Sequence, residues 1–390
     1  MLKRYLQEPV IEDLKEKMVF VAGPRQVGKT TLAKQILDTA GAGEYFSWDR
    51  RQDRKEIRKA RWPGGDALVV LDELHKYRHW KRWLKGEFDK HRGHLRFLVT
   101  GSARMDIYRR GGDSLQGRYH HYRLHPLSYA EVEGTPRREL PSPGEPLSIP
   151  SWGSAETMES LMRFGGFPEP FLAQSERALR RWQKERVDRF FREDVRDLEA
   201  IRDMSSMQLL ADMLADRAAS LLSINSLRED LEVSHRAVSH WMDILERLYY
   251  VFRVRPYSSR SFRGLRKMPK VYLWDTSLVS DEGARFENLV ALHLLKFCHY
   301  LEDHQGYRTE LAYLRSAGGR EVDFLVSCQR KPWFLVEAKV GEKQIEKSIR
   351  VFREQLKVPF AYQVALHGTG DFVQEDIRCL PAHRFLAALI

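Results

Sequence analysis

Nine residues, Gly23, Pro24, Arg25, Gln26, Val27, Gly28, Lys29, Thr30 and Thr31, carry the spacing G-x-x-x-x-G-K-[ST]. Each residue type has a physical task there. Gly23 and Gly28 let the backbone turn its N–H groups inward as a nest for an anion. Lys29 reaches the β- and γ-phosphates of a nucleotide, and Thr30 offers a hydroxyl to Mg²⁺. A helix beginning at this point aims its positive end at the phosphates. Further along, four apolar residues precede Asp72 and Glu73. Carboxylates at the end of a buried strand need partners. Beside a phosphate loop, Asp72 is expected to hold the magnesium shell, and Glu73 to orient or deprotonate the attacking water. A solvated strand end is the other reading of the pair. The expected ligand is ATP with Mg²⁺, and the expected chemistry is ATP hydrolysis.

A third apolar run, residues 95–101, leads into Ser102. A polar group there can sense the γ-phosphate, with Thr100 as the alternative. Arg118 follows Gly117 just before the next strand-like segment. In oligomeric ATPases an arginine at that location reaches a neighbour's γ-phosphate and offsets transition-state charge. The other reading is a surface cation. Arg104, Arg109 and Arg110 are rivals in the same segment. An arginine supplied in trans needs a neighbour, so a homo-oligomer is expected.

These residues need a frame. Strand patterns fall at 17–22, 44–48, 67–71, 95–101 and 119–124, and helix patterns at 30–39 and 80–90. Strands alternating with helices imply a parallel sheet covered on both faces. Residues 135–151 hold Pro136, Pro141, Pro143, Pro146 and Pro150 and read as a linker or irregular excursion. Mostly helices are expected from 156 to 248. Strand patterns return at 249–254 and 271–274, followed by a helix at 284–298 and strands at 311–314, 321–327 and 333–340.

A chain of 390 residues has room for two or three domains, and a hydrophobic fraction of 43% supplies real cores. The formal net charge of +11 favours polyanion partners, nucleic acid above all, with solubility as the plainer reading. Three cysteines, Cys298, Cys328 and Cys379, lie outside metal-ligand spacing and fit no disulfide framework. The start of the chain lacks the apolar core of a secretory signal, and no apolar run is long enough to span a membrane. A cytoplasmic protein with no membrane partner is expected. His91 and His94 sit in a polar stretch without a third ligand, and His120, His121 and His125 read as strand-pairing or surface residues.

The phosphate loop, the Leu-Asp-Glu-Leu-His-Lys motif at 71–76, the Thr-Gly-Ser strand end and the Gly117-Arg118 pair together resemble the AAA+ ATPases of bacteria and archaea. They are similar to one subgroup in which the ATPase core is followed by a lid, a winged helix and a C-terminal nuclease-like domain. Residues 165–169 (Gly-Gly-Phe-Pro-Glu) and 191–197 (Phe-Arg-Glu-Asp-Val-Arg-Asp) resemble that subgroup's lid. The resemblance implies an ATPase core at 1–134, a linker and helical lid at 135–203, a winged helix at 204–275 and a nuclease-like domain at 276–390.

The residues of the later regions speak for themselves too. A short helix at 224–231, a turn at Glu232 and Val233, and a helix at 235–248 capped by Ser234 have helix-turn-helix spacing. From Arg253 to Lys270 there are seven Lys or Arg and no acid, with Tyr257 and Phe262 interleaved. A positive wing of this kind suits a DNA backbone; a protein-binding winged helix with a solvated loop is the rival. Beyond it, Asp323, Glu337 and Lys339 lie on two strand patterns separated by residues 328–332, and Glu287 lies on the preceding helix. An Asp opposite a Glu-x-Lys pair can hold Mg²⁺ and place a water beside the lysine, which supports phosphodiester hydrolysis. These positions resemble the motif of the PD-(D/E)xK nuclease fold, with Glu287 matching its helix acid. A hairpin with surface ion pairs, and a nuclease-like fold that binds DNA without cutting, are the other readings. The expected fold is α/β, with a P-loop parallel sheet, a helical lid, a winged helix and a small α/β nuclease-like domain. The expected function is ATP-driven action on DNA; a nucleotide-dependent switch with an inert C-terminal domain is the alternative.

Overall fold

The computed structural model describes residues 2–101, 115–135, 141–196, 201, 203–258, 268–342 and 344–390. The chain divides into two compact units: Met1–Pro126 with Arg247–Tyr249, and Leu127–Glu246 with Tyr250–Ile390. The fold is mixed α/β.

The first unit is built on five parallel strands: β1 (Met18–Ala22), β2 (Gly43–Ser47), β3 (Ala67–Asp72), β4 (Leu95–Thr100) and β5 (Tyr119–Arg123), in the order β2-β3-β4-β1-β5. β1 and β3 are buried along their whole length, as expected of runs covered on both faces. One side packs Phe20, Phe46, Trp80, Leu84 and Phe97 into a core. Helix Lys29–Ala40 follows β1 and buries Leu32, Ala33 and Ile36. β4 lies between β1 and β3, so the ends of all three strands converge on one edge. Two helices, Gln7–Asp13 and Arg51–Lys59, stand where no helix pattern is read in the sequence. The second carries a single buried apolar residue, Ile57, on an otherwise charged sequence, which is too little periodicity to read.

The second unit holds an eight-stranded sheet of β6 (Val251–Pro256), β7 (Lys270–Leu273), β8 (Thr309–Arg315), β9 (Glu321–Cys328), β10 (Lys331–Gly341), β11 (Phe360–His367), β12 (Phe372–Gln374) and β13 (Ile377–Pro381). Its order is β12-β13-β11-β10-β9-β8-β6-β7. Helices Ile224–Asp230 and His235–Arg247 precede β6, and Ser234 accepts the N–H of Ala237 as expected of a cap. The second helix buries Val238, Trp241, Met242 and Leu245. β6 then pairs antiparallel with β7 and parallel with β8. The turn between β9 and β10 is two residues, Gln329 and Arg330, both at positive φ (51° and 67°). This is the twist-matched two-residue hairpin, shorter than the five residues 328–332 expected of it.

The proline-rich stretch is not a free linker over its described part. The Trp333 indole N–H donates to the carbonyl of Glu145 (2.8 Å), the Leu147 N–H to the Tyr362 hydroxyl (3.0 Å), and Arg384 to the carbonyl of Pro150 (2.8 Å). Residues 141–150 are thus pinned along the C-terminal sheet, a contact that sequence-local reasoning has no means of seeing. Within the 165–169 run, Gly165 ends helix Ala155–Phe164 at φ 70°, and Phe167 is buried under the Arg186 guanidinium (4.0 Å to the ring). Arg186 also pairs with Asp275 at 3.0 Å.

A buried polar knot ties the short helix Tyr129–Val132 to the long helix Glu282–Asp303. Ser128 and Glu131 form a capping box, and both accept from the buried Lys296 ammonium. His293 completes the knot: its Nε2 accepts the Tyr129 N–H (3.0 Å), while Nδ1 lies 2.8 Å from the carbonyl of Leu289. Accepting at one nitrogen and donating at the other is what neutral imidazole does. Burial drives the His293 pKa down to about 4, against the hydrogen bond to Leu289 and with the Lys296 charge adding to the effect. The folded chain therefore refuses a proton that the unfolded chain takes up below pH 6.5. Stability is expected to fall as pH drops from about 6.5 to about 4, by about 3 kcal/mol in total. Urea unfolding across that window checks this; His293→Gln should flatten the slope, and an unchanged slope contradicts it.

Candidate functional site

The loop after β1 is shaped by its glycines and braced from the chain's start. Gly28 begins the helix in the left-handed region at φ 100°, and Gln26 also lies there at φ 63°. At Gly23, φ 149°, a Cβ would stand 2.4 Å from the carbonyl oxygen of Leu124. The buried Arg4 donates to the carbonyls of Val27 (2.7 Å) and His125 (2.5 Å), fixing the loop against the end of β5. Nothing in the sequence pattern pointed to Arg4. Lys29 is buried, its ammonium 3.0 Å from the carbonyl of Gly23 and 2.7 Å from that of Pro24. It lies inside the curve of the loop, where a phosphate would stand.

Asp72 ends β3 beside this loop and is the hub of the site. Its Oδ2 accepts from the Thr30 hydroxyl (2.8 Å) and from the Tyr45 hydroxyl (2.5 Å), and its Oδ1 accepts from the Thr100 hydroxyl. Tyr45 comes from β2, whose register sets Ser47 beside Asp72. Burial, then the hydrogen bond to Asp72, raises the Tyr45 phenol above its ordinary pKa, so it remains a donor. Sequence reading missed Tyr45; an aromatic on an edge strand has no motif to announce it. Thr100, named as an alternative to Ser102, faces Asp72. Ser102, Arg104, Arg109 and Arg110 lie outside the described residues.

Glu73 departs from the strand. Its backbone is left-handed (φ 58°, ψ 26°), and its N–H donates to the carbonyl of Thr100. A non-glycine residue in that region costs on the order of 1–3 kcal/mol and persists only where its surroundings impose it. The Glu73 carboxylate meets His75 (3.8 Å) and Lys76 while Asp72 meets hydroxyls, so two adjacent acids take separate places. Lys76 pairs with Glu73 at 3.3 Å and with both Asp49 oxygens at 2.7 Å.

The donor set fits a magnesium nucleotide. Hydroxyl and carboxylate oxygens of Thr30 and Asp72 are the hard ligands Mg²⁺ takes, and the lysine and the loop N–H groups suit phosphate. Arg118 stands at the start of β5, aligned with Met18 at the start of β1. That is the sheet edge opposite the loop, about 16 Å of strand away. It forms a fork with Asp89 (2.8 and 3.1 Å) on the surface. From there it cannot reach its own chain's loop.

In the second unit, Glu287 and Asp323 come together around a residue the sequence reading placed in the wing, and Glu337 accepts the Asp323 N–H beside them. The Lys270 ammonium, 3% exposed, lies 2.9 Å from Glu287, 2.7 Å from Glu321 and 3.4 Å from Asp323. Lys339 pairs with Glu337 at 2.8 Å. Burial and then the charge of Asp323 push Glu287 up to about 7 and Glu337 up to about 8. Among the described residues no group of three or more His, Cys, Asp or Glu is placed to hold a metal ion. As arranged, the cluster does not fit the divalent ion expected of it, because an ammonium stands between three of its carboxylates. The wing loses charge in the same way. Of its seven basic residues, Lys270 serves this cluster and Arg253 is paired with Asp243 and Glu246. Arg255 is exposed; Arg260, Arg263, Arg266 and Lys267, with Phe262, lie outside the described residues.

Of the histidines, His91 pairs with Glu87 at 3.6 Å, while His121 and His125 are buried rather than at the surface. The three cysteines are free and buried. Among the described residues no helix is long and apolar enough to cross a membrane.

Residues 15–133 match the family model of an AAA domain. Residues 155–282 and 282–385 match two models described as domains of unknown function, DUF8612 and DUF4143. An uncharacterized protein of Mycobacterium tuberculosis is 24% identical over 352 residues, covering 85% of this chain and 73% of that protein. One of Methanocaldococcus jannaschii is 25% identical over 389 residues, covering 87% of this chain and 79% of that protein. Among solved structures, the Aeropyrum pernix ORC1 protein in complex with DNA aligns at a TM-score of 0.33 and 15% identity, covering 75% of this chain and 93% of that one. AMPPCP-bound DnaA from Aquifex aeolicus aligns at 0.30 and 15%, covering 62% and 86%. The N-terminal unit has the parallel-sheet fold of a P-loop domain, and its residues 15–133 are similar to AAA domains.

The Gly23 contact makes a sharp prediction. Gly23→Ala should destabilise the protein by roughly 2 kcal/mol or more, because backbone, not a flexible side chain, meets the new methyl. Thermal unfolding and ATP affinity should both fall. Gly41→Ala, whose Cβ meets nothing within 4 Å, should leave ATP affinity unchanged.

Proposed function

We propose that this chain is a Mg-ATP-hydrolysing AAA+ ATPase that acts on DNA as a homo-oligomer. The observation that carries the reading is the Asp72 carboxylate held by hydroxyls from Thr30, Tyr45 and Thr100 at the mouth of the phosphate loop. The residues take separate tasks. The N–H groups of residues 23–31 and the Lys29 ammonium bind the phosphates. Thr30 and Asp72 hold the magnesium shell. Glu73, turned out of the strand, orients the attacking water and accepts its proton. Thr100 or Ser102 reports on the γ-phosphate. ATP supplies a phosphoanhydride whose cleavage puts charge on the γ-oxygens, and Arg118 of a neighbouring copy offsets it.

DNA is supported by the helix-turn-helix spacing of residues 224–247, by the exposed Arg236 and Arg255, and by the net charge. The lid, winged-helix and nuclease-like assignments, with the boundaries 1–134, 135–203, 204–275 and 276–390, belong to the same proposal. For the last domain two readings stand. One has Asp323, Glu337, Glu287 and Lys339 cleave DNA around a metal ion. The other has an inert nuclease-like fold, and the Lys270 ammonium among the carboxylates favours it.

Steady-state ATP hydrolysis over a panel of duplex, junction and single-stranded DNA tests the function, with Lys29→Ala as the control. At least one DNA form should raise the rate severalfold; a rate indifferent to all of them contradicts the DNA part. The trans arginine is tested by mixing. Lys29→Ala and Arg118→Ala chains should each be at least a hundredfold slow alone. Mixed, a site pairing Lys29 of one copy with Arg118 of another should recover a measurable fraction of the wild-type rate. Absence of recovery in an assembled mixture contradicts the trans role.

A further inference from the structure

The cation in the C-terminal cluster is part of the chain. Lys270 opens β7, and its Nζ reaches Glu287 on the long helix and both Glu321 and Asp323 on β9. The Tyr313 ring lies 5.9 Å from the same ammonium. Glu287 also accepts from the Tyr272 hydroxyl at 2.8 Å. Three further carboxylate oxygens of the cluster are also engaged. Asp323 Oδ2 accepts the Ala338 N–H (3.0 Å), Glu337 Oε2 accepts the Asp323 N–H (3.3 Å), and Glu321 Oε2 is paired with Arg315 (2.8 Å). A magnesium-type ion demands about six oxygens near 2.1 Å in octahedral array and tolerates no ammonium among them.

Lys270 is also fixed at its backbone. It pairs with Val254 on one side and bridges to Leu221 on the other, and the flanking Pro269 carbonyl and Val271 N–H are bonded to Leu222 and Ser220. The strand cannot carry the ammonium out without breaking pairs on both sides. Removing one partner from a buried ion cluster leaves uncompensated charge, so the arrangement resists being opened from either side.

We propose that the Lys270 ammonium is the resident cation of the C-terminal carboxylate cluster. It takes the position a divalent metal would need, so the domain cleaves no phosphodiester and instead holds the β6–β7 hairpin as a fixed attachment. The inference rests on the inert reading of the nuclease-like domain and is separate from ATP hydrolysis at residues 23–31.

Manganese binding decides it. The nucleotide-free full chain is titrated with Mn²⁺, and the paramagnetic resonance signal of the free ion gives the number bound. Wild type and Asp323→Asn are expected to titrate alike. Lys270→Met is expected to take up one additional Mn²⁺ per chain, lost again when Asp323→Asn is added. A Mn²⁺ bound by wild type that Asp323→Asn or Glu337→Gln abolishes overturns the proposal. Mn²⁺-dependent DNA cleavage by wild type that Glu337→Gln abolishes overturns it equally. Should Lys270→Met fail to fold, the comparison of wild type with Asp323→Asn and Glu337→Gln still decides. ATP hydrolysis measured on the same samples tells loss of this inference from loss of the ATPase reading.

Discussion

The N-terminal unit is organised around one carboxylate. Asp72 is reached by a hydroxyl from the phosphate-loop helix, one from β2 and one from β4, so four pieces of the fold meet at its two oxygens. The sheet order explains why this is the meeting point. With β4 between β1 and β3, the ends of three parallel strands share an edge, and that edge is where ligands of open α/β sheets bind. A buried carboxylate without donors would be costly. Three hydroxyls satisfy it while leaving it free to face a cation. The left-handed turn at Glu73 lies at the same strand end, where its N–H closes onto the carbonyl of Thr100 as the chain leaves β3.

Both units place charge in buried positions and answer it locally, but they answer it differently. At Asp72 the partners are neutral hydroxyls, which add no charge and leave a net negative hub. In the C-terminal cluster the partners are ammonium and guanidinium groups, Lys270, Lys339 and Arg315, which cancel the carboxylates in place. The first arrangement suits a cation that comes and goes with a nucleotide. The second is self-contained.

The nucleotide half was legible because its chemistry is local. Residues 23–31 carry their own spacing, and β1, β3 and β4 announce themselves as apolar runs that the structure places within a residue or two. What the sequence could not show came from distance. Arg4 bracing Val27, Tyr45 reaching Asp72 and Lys270 entering the carboxylate cluster each join residues far apart in the chain, with no pattern to mark the meeting. Lys270 is instructive: in a run of seven basic residues it reads as one more wing cation, and only the antiparallel return of β7 carries it to Glu287 and Glu321. Residues 357–390, with β11, β12 and β13, went unread since their strands lack strict alternation and chemistry of their own. His121 takes the strand-pairing reading rather than the surface one, paired with Phe20, and His125 is buried beyond the strand's end.

The measurement that bears most directly on the account separates binding from chemistry at Glu73. Equilibrium ATP binding and single-turnover hydrolysis are compared for wild type and Glu73→Gln. ATP affinity should stay within about threefold of wild type while hydrolysis slows about a hundredfold or more, as loss of a general base requires. Hydrolysis by Glu73→Gln at the wild-type rate, with binding intact, would contradict the assignment of Asp72 and Glu73 to separate roles.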